Sequence, residues 1–207
     1  MQFKTPGSAV AVVVKREDKK ETHREFLAQY LAGARAAGVC NRDTPIMLVA
    51  RSALSPIAQA LVAVADDLAA SGLVVHALFA CDERDGAGDS WTIASSRLTF
   101  ARSVRIARNP RLLDAHEQLV LGGSTCWFGD SMRRDPSKRD AYERFVTDCA
   151  ETARFATRSF EHLWKAGEPA GAVAAGSHET CLRRPAADIS GAVAVDATDG
   201  PIGATRH

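Results

Sequence analysis

Apolar positions along the chain change period several times, and each change marks an element. AVAVVV (9–14) has the β-branched density of a short buried strand. From Glu21 the spacing lengthens: Phe26, Leu27, Tyr30, Leu31, Ala34 and Ala37 recur at mostly three and four, so an amphipathic helix is expected, with Gly38 as its C-cap. PIMLVAR (45–51) reads as a strand. Ser55-Pro56 has the N-cap and first-turn signature of a helix that buries Ile57, Leu61, Val64, Ala65 and Leu68 and stops at Ser71-Gly72. LVVHALFA (73–80) is a further strand. Strands alternating with helices over short connections predict an α/β unit with parallel strands.

The second half is organised differently. CDERDGAGDS (81–90) is a polar loop, and Trp91 to Ala101 fits helix or strand equally. Val104 to Ala107 reads as a short strand before the Asn109-Pro110 turn. Then come a strand with His116 (AHEQLVLG), a Gly-Ser turn, a second strand (STCWFG) and a polar loop (DSMRRDPSKRD). Ala141, Phe145, Cys149, Ala153, Ala156, Phe160 and Leu163 align on one face of a single long helix expected from about Lys138 to Lys165. Beyond Gly167 the composition turns to Ala, Gly, Pro and Ser with few large apolar residues. Residues 168–207 are therefore expected to be a disordered tail, 1–8 a frayed lead-in and 9–167 one domain.

Composition narrows the function classes modestly. With 46% apolar and 25% charged residues the chain is in the globular range, and a net charge of +1 gives no global pull toward nucleic acid or membrane. No run approaches the roughly 20 apolar residues of a membrane span. The apolar run at 9–14 lacks the basic flank and cleavage site of a secretory signal, so a cytoplasmic protein is expected. Five widely spaced cysteines show no C-x-x-C pair and fit reduced thiols; Cys126 and Cys149 sit in apolar patterns and read as inert buried groups. Asp82, Glu83, Asp85 and Asp89 do not have calcium-loop spacing, so neither a metal nor a cofactor is expected.

The order of elements around His116 resembles the phospholipase D superfamily half-domain, over roughly residues 45–169. That family carries H-x-K-x4-D-x6-G-S-x-N with a downstream Glu. The resemblance implies an α/β sandwich, a mixed sheet flanked by helices with a long C-terminal helix. It also implies phosphodiester chemistry in which a His attacks phosphorus and two sites face each other, so a single half would work as a homodimer. On that pattern His116 stands at the nucleophile, Gln118 at the Lys and Gly123 at the Asp. Asp130, Ser131, Met132 and Arg133 stand at Gly-Ser-x-Asn, and Glu143 at the downstream Glu, expected early in the long helix.

The charge logic of this motif is degraded. Gln118 cannot supply the positive charge of Lys, and Asp130 would repel a phosphate that Arg133 attracts. A catalytically degenerate protein acting by binding or assembly is therefore expected, the alternative being an active phosphodiesterase with His116 as nucleophile across a homodimer. Arg133, Arg134 and Lys138, with Arg102, Arg105, Arg108 and Arg111, form a candidate cationic rim for nucleic acid or another polyanion. The competing expectation is a solvated surface paired with Asp114, Asp135 and Asp140. If the fold serves assembly instead, Phe155 and Trp164 on the long helix are candidates for the dimer surface.

Overall fold

The computed structural model describes residues 9–38, 45–80 and 103–170. In chain order the elements are β1 (Ala9–Val14), α1 (Lys19–Ala36), β2 (Ile46–Ala50), α2 (Pro56–Ala63), α3 (Ala65–Ala70), β3 (Val75–Ala80) and β4 (Ser103–Ala107). A 3-10 turn (Pro110–Asp114) leads to β5 (His116–Leu121), β6 (Thr125–Ser131), β7 (Ala141–Val146), α4 (Ala150–Ala166) and β8 (Glu168–Pro169). The strands make one sheet in the order β1-β7-β6-β5-β2-β3-β4-β8. β2, β3 and β4 run parallel and every other pairing is antiparallel, so the sheet is mixed.

Both faces of the sheet are covered. On one, α1 and α2 close an apolar layer including Phe26, Leu27, Ile57, Leu61, Leu119 and Phe145; on the other, α4 packs Ala156 and Phe160 against Val49, Leu78, Val120 and Cys126. The central strands are therefore apolar at consecutive positions: all five residues of β2 are buried. The fold is an α/β sandwich with a mixed sheet flanked by helices, as the resemblance implies; the pattern alone predicts only its parallel part.

Three expectations are corrected. The long helix from Lys138 is two elements. AYERFV alternates, with Ala141, Glu143 and Phe145 buried and Tyr142 and Arg144 exposed, and it forms β7; the helix begins only at Ala150. Phe145 and Cys149 are four apart and continue the helical spacing, and no Gly or Pro marks the boundary. The break is made at Asp148, which takes φ 52°. Next, β1 is an edge strand antiparallel to β7, with outward residues exposed, and is not a buried member of the parallel unit. Finally, the predicted helix after Ser55 is broken at Val64 (φ −108°, ψ 17°) into α2 and α3. Ser55 stands at the N-cap of α2 with Pro56 in the first turn, as expected, but its side chain makes no capping bond to the helix; its hydroxyl oxygen accepts from Ser52 N–H at 3.3 Å.

Gly38 does end α1, at φ 64°, and Val104–Ala107 lies in β4. Glu168 and Pro169, at the head of the expected tail, pair with β4. The expectations for residues 1–8, 81–102 and 171–207 fall outside the described residues, as does Arg102.

Candidate functional site

Because β2 and β3 run parallel and β5 and β6 return antiparallel between β2 and β7, one edge of the sheet collects the end of β2, the starts of β5 and β7 and the end of β6. The carboxyl ends of parallel strands are where open α/β sheets offer ligand sites. His116 opens β5 here and is exposed; its register partner is Ser131, and the ladder is irregular between His116 and Gln118. The Nδ1 of His116 lies 2.8 Å from Gly129 O. A carbonyl only accepts, so Nδ1 carries the proton and the lone pair of the neutral ring falls on Nε2. Ser131 Oγ donates to Leu113 O at 3.1 Å.

The other two predicted catalytic residues point elsewhere. Gln118 is buried and donates from Nε2 to Ala156 O of α4 at 3.2 Å, so its amide serves the helix. Glu143 lies on β7 and not in a helix, turned toward α1. There it accepts from Trp127 Nε1 at 3.0 Å, meets His23 Nε2 at 2.7 Å, and lies 3.6 Å from Lys19 Nζ. Lys19 also donates to Pro136 O at 2.9 Å, tying the loop after β6 to α1. Of the four predicted residues, the fold brings together only His116 and Ser131.

Beside Glu143, Glu117 is buried on the same side of the sheet. It accepts from the Arg51 backbone N–H at 2.9 Å and from the Ser55 hydroxyl. Burial pushes its carboxyl above the ordinary value despite these bonds. Gly129 makes room for this arrangement: a Cβ there would stand 2.6 Å from the Trp127 ring and 3.3 Å from Glu117 Cβ. Lys19, His23, Glu117 and Glu143 thus form a buried ionisable cluster under the exposed edge, with His23 Nδ1 unpartnered inside it. Sequence reading missed Lys19 because the helix was started at Glu21, and His23 because only apolar side chains were counted on its buried stripe. Stepping the apolar stripe back by fours from Leu27 reaches both, so the signal was present.

Arg133, Arg134 and Lys138 are each paired with an aspartate. Arg133 forks onto Asp114, with Nη2 to Oδ2 at 3.0 Å, and its hydrogen bonds hold the Asp114 carboxyl below its ordinary range. Arg134 is 3.6 Å from Asp130, and Lys138 is 3.1 Å from Asp135. Arg105 faces the other layer: it stacks 4.7 Å over the Trp164 ring and donates to Trp164 O and Gly167 O at the end of α4. Trp164 also stacks on Phe160 and His76, and so is used within the fold, while Phe155 is 74% exposed. Among the described residues no three metal-ligating side chains converge, and no helix is long and apolar enough to cross a membrane.

No family model matches the sequence, and no curated protein does. Solved structures do resemble the fold. Nuc from Salmonella typhimurium, a phospholipase D family member, is similar over 78% of this chain and 98% of its own, at 15% identity and a TM-score of 0.50. TrmBL2, described as an archaeal chromatin protein with a novel mode of DNA binding, is similar over 81% of this chain at 12% identity and a TM-score of 0.49. This chain spans 56% of the TrmBL2 structure. The fold is phospholipase D-like; at these identities the likeness extends to the fold alone.

Proposed function

We propose that this chain is a catalytically degenerate phospholipase D-like protein that acts by binding or assembly. One observation carries the reading: the residue at the family's phosphate-neutralising Lys position, Gln118, is neutral, buried and committed to a backbone carbonyl of α4. An anionic transition state at His116 would lack that charge and would meet the Asp130 carboxylate. Losing one stabilising donor commonly costs on the order of a hundredfold in rate. Bis-nitrophenyl phosphate should therefore show no turnover above the His116→Ala background, even at high protein concentration. Turnover that disappears in His116→Ala would overturn the reading.

For the ligand, the same edge favours a phosphate-containing molecule or nucleic acid met by Arg133, Arg134 and Lys138. Each now shares an aspartate, so a phosphate must compete for the cation and affinity should be low and steeply salt-dependent. Fluorescence anisotropy of a labelled single-stranded oligonucleotide checks this. Binding should weaken as salt rises and drop in the double change Arg133→Ala and Arg134→Ala; absent or salt-independent binding counts against it.

A second reading has one observation in its favour. His116 is held by Gly129 so that Nε2 presents its lone pair at an exposed edge, which is what a nucleophile needs. In that case the chain is a phosphodiesterase whose leaving group is protonated by His116 of a second copy. Sedimentation separates the two: activity without a dimer contradicts the second reading.

A further inference from the structure

The sheet has a second end, opposite the one that carries His116, and a cleft opens there. It gathers the turn 122–124 between β5 and β6, the link 147–148 between β7 and α4, Leu73 ahead of β3 and part of α1 around a volume of about 470 Å³. That size is ordinary for a small-molecule site. Small residues make the room: Gly33 and Ala34 of α1 line it, and a Cβ on Gly33 would meet nothing within 4 Å. Gly122, at φ 62°, lets Tyr30 approach, since a Cβ there would stand 2.9 Å from the Tyr30 hydroxyl oxygen. Buried Leu73 and Leu121 supply an apolar wall. The two loops are tied to each other, because the Cys149 N–H donates to Ser124 O at 2.8 Å.

The charge of this cleft is one-sided. Asp148 is the single charged residue in its lining, none of the lining residues is basic, and Asp148 forms no ion pair among the described residues. The other polar groups are neutral. Burial raises the pKa of the Tyr30 phenol, which therefore stays protonated, and Ser124 and Thr147 contribute hydroxyls. A phosphate or carboxylate entering here would meet a negative charge and no cation. An ammonium would gain a carboxylate that it need not take from another side chain.

We propose that this cleft binds a small organic amine, with the ammonium on the Asp148 carboxylate and an apolar or aromatic body against Leu73 and Leu121. Ser124 and Thr147 offer hydroxyl acceptors for the remaining ammonium N–H groups. The site shares no residue with the His116 edge, so it stands whether or not that edge binds phosphate.

The isotopically labelled full chain is titrated with tryptamine and, as a matched anion, with indole-3-acetate, while backbone amide shifts are followed by NMR. Tryptamine should move the amides of Gly122, Ser124 and Asp148 saturably and leave those of His116 and Ser131 in place; indole-3-acetate should move none of them. Asp148→Asn preserves the left-handed backbone, which Asn also adopts, and should weaken tryptamine binding roughly tenfold, the worth of a hydrogen bond to a charged group. Gly33→Leu fills the open space from a helix that prefers Leu to Gly, and should abolish the shifts in a chain that remains folded. No saturable shift with tryptamine, an equal response to the two indoles, an unchanged affinity in Asp148→Asn, or shifts centred on His116 would overturn the proposal. Broadening at 122–124 that grows with protein concentration in the absence of either probe would also overturn it, by placing a second copy of the chain in the cleft.

Discussion

The exposed edge around His116 and the cluster beneath it are built from the same kinds of side chain and do opposite work. On the surface Arg133, Arg134 and Lys138 meet aspartates in water, where ion pairs add little to stability and exchange partners readily. Underneath, Lys19, His23, Glu117 and Glu143 are each at most 2% exposed. Burying such polar groups is tolerable only because they find partners there, and removing one leaves others unpaired in a poor dielectric. Ionisable residues at a candidate site are therefore not one population: the surface set can trade partners with a ligand, and the buried set holds β7, β6 and α1 together.

Four substitutions test that division. Glu143→Ala strips the partner from Lys19, His23 and the Trp127 indole at once, and should cost about 3–5 kcal/mol in urea unfolding, as for a broken buried pair. A loss no larger than that of a surface substitution would erase the distinction. Gly129→Ala should cost about 1–3 kcal/mol, because the new methyl group overlaps the buried Trp127 ring and cannot be accommodated by a flexible neighbour.

Glu117→Gln sharpens the comparison through pH. Its folded pKa is raised above the ordinary 4.5, so the folded state holds the proton more tightly than the unfolded one. The stability this contributes is complete below about pH 4.5 and is lost as pH rises through the raised value. Gln keeps an acceptor for Arg51 N–H and never ionises. Denaturation series between acid and neutral pH should show a flatter profile in the variant, and an unchanged slope would argue that Glu117 ionises freely in place. The smallest effect is expected for Arg133→Ala, which should leave the thermal midpoint nearly unmoved.

The fold was legible where periodicity was clean. β2, β5 and β6 are short apolar runs bounded by turns, and α1 carries a stripe ending at a glycine. The long helix misled because the inward residues of β7 and those of α4 happen to fall in step across Asp148. That misreading placed Glu143 on a helix, when alternation in AYERFV could have placed it on a strand. His116 and Ser131 were recoverable from spacing, since a hairpin brings them together. Glu117 and Ser55 were not. Their bond crosses from β5 to the segment before α2, a contact set by strand order, which short-range patterns do not encode.

Sheet order also has a consequence in time. β1 finds its partner in β7, and Lys19 and His23 find theirs at Pro136 and Glu143, 117 and 120 positions along the chain. Local contacts cannot complete this half of the molecule. As the chain leaves the ribosome, the first strand and helix must wait, their polar groups still hydrated, until β7 has emerged. Topologies dominated by such distant pairings fold slowly. When the first segment closes over β7, a lysine, a histidine and a glutamate leave water together.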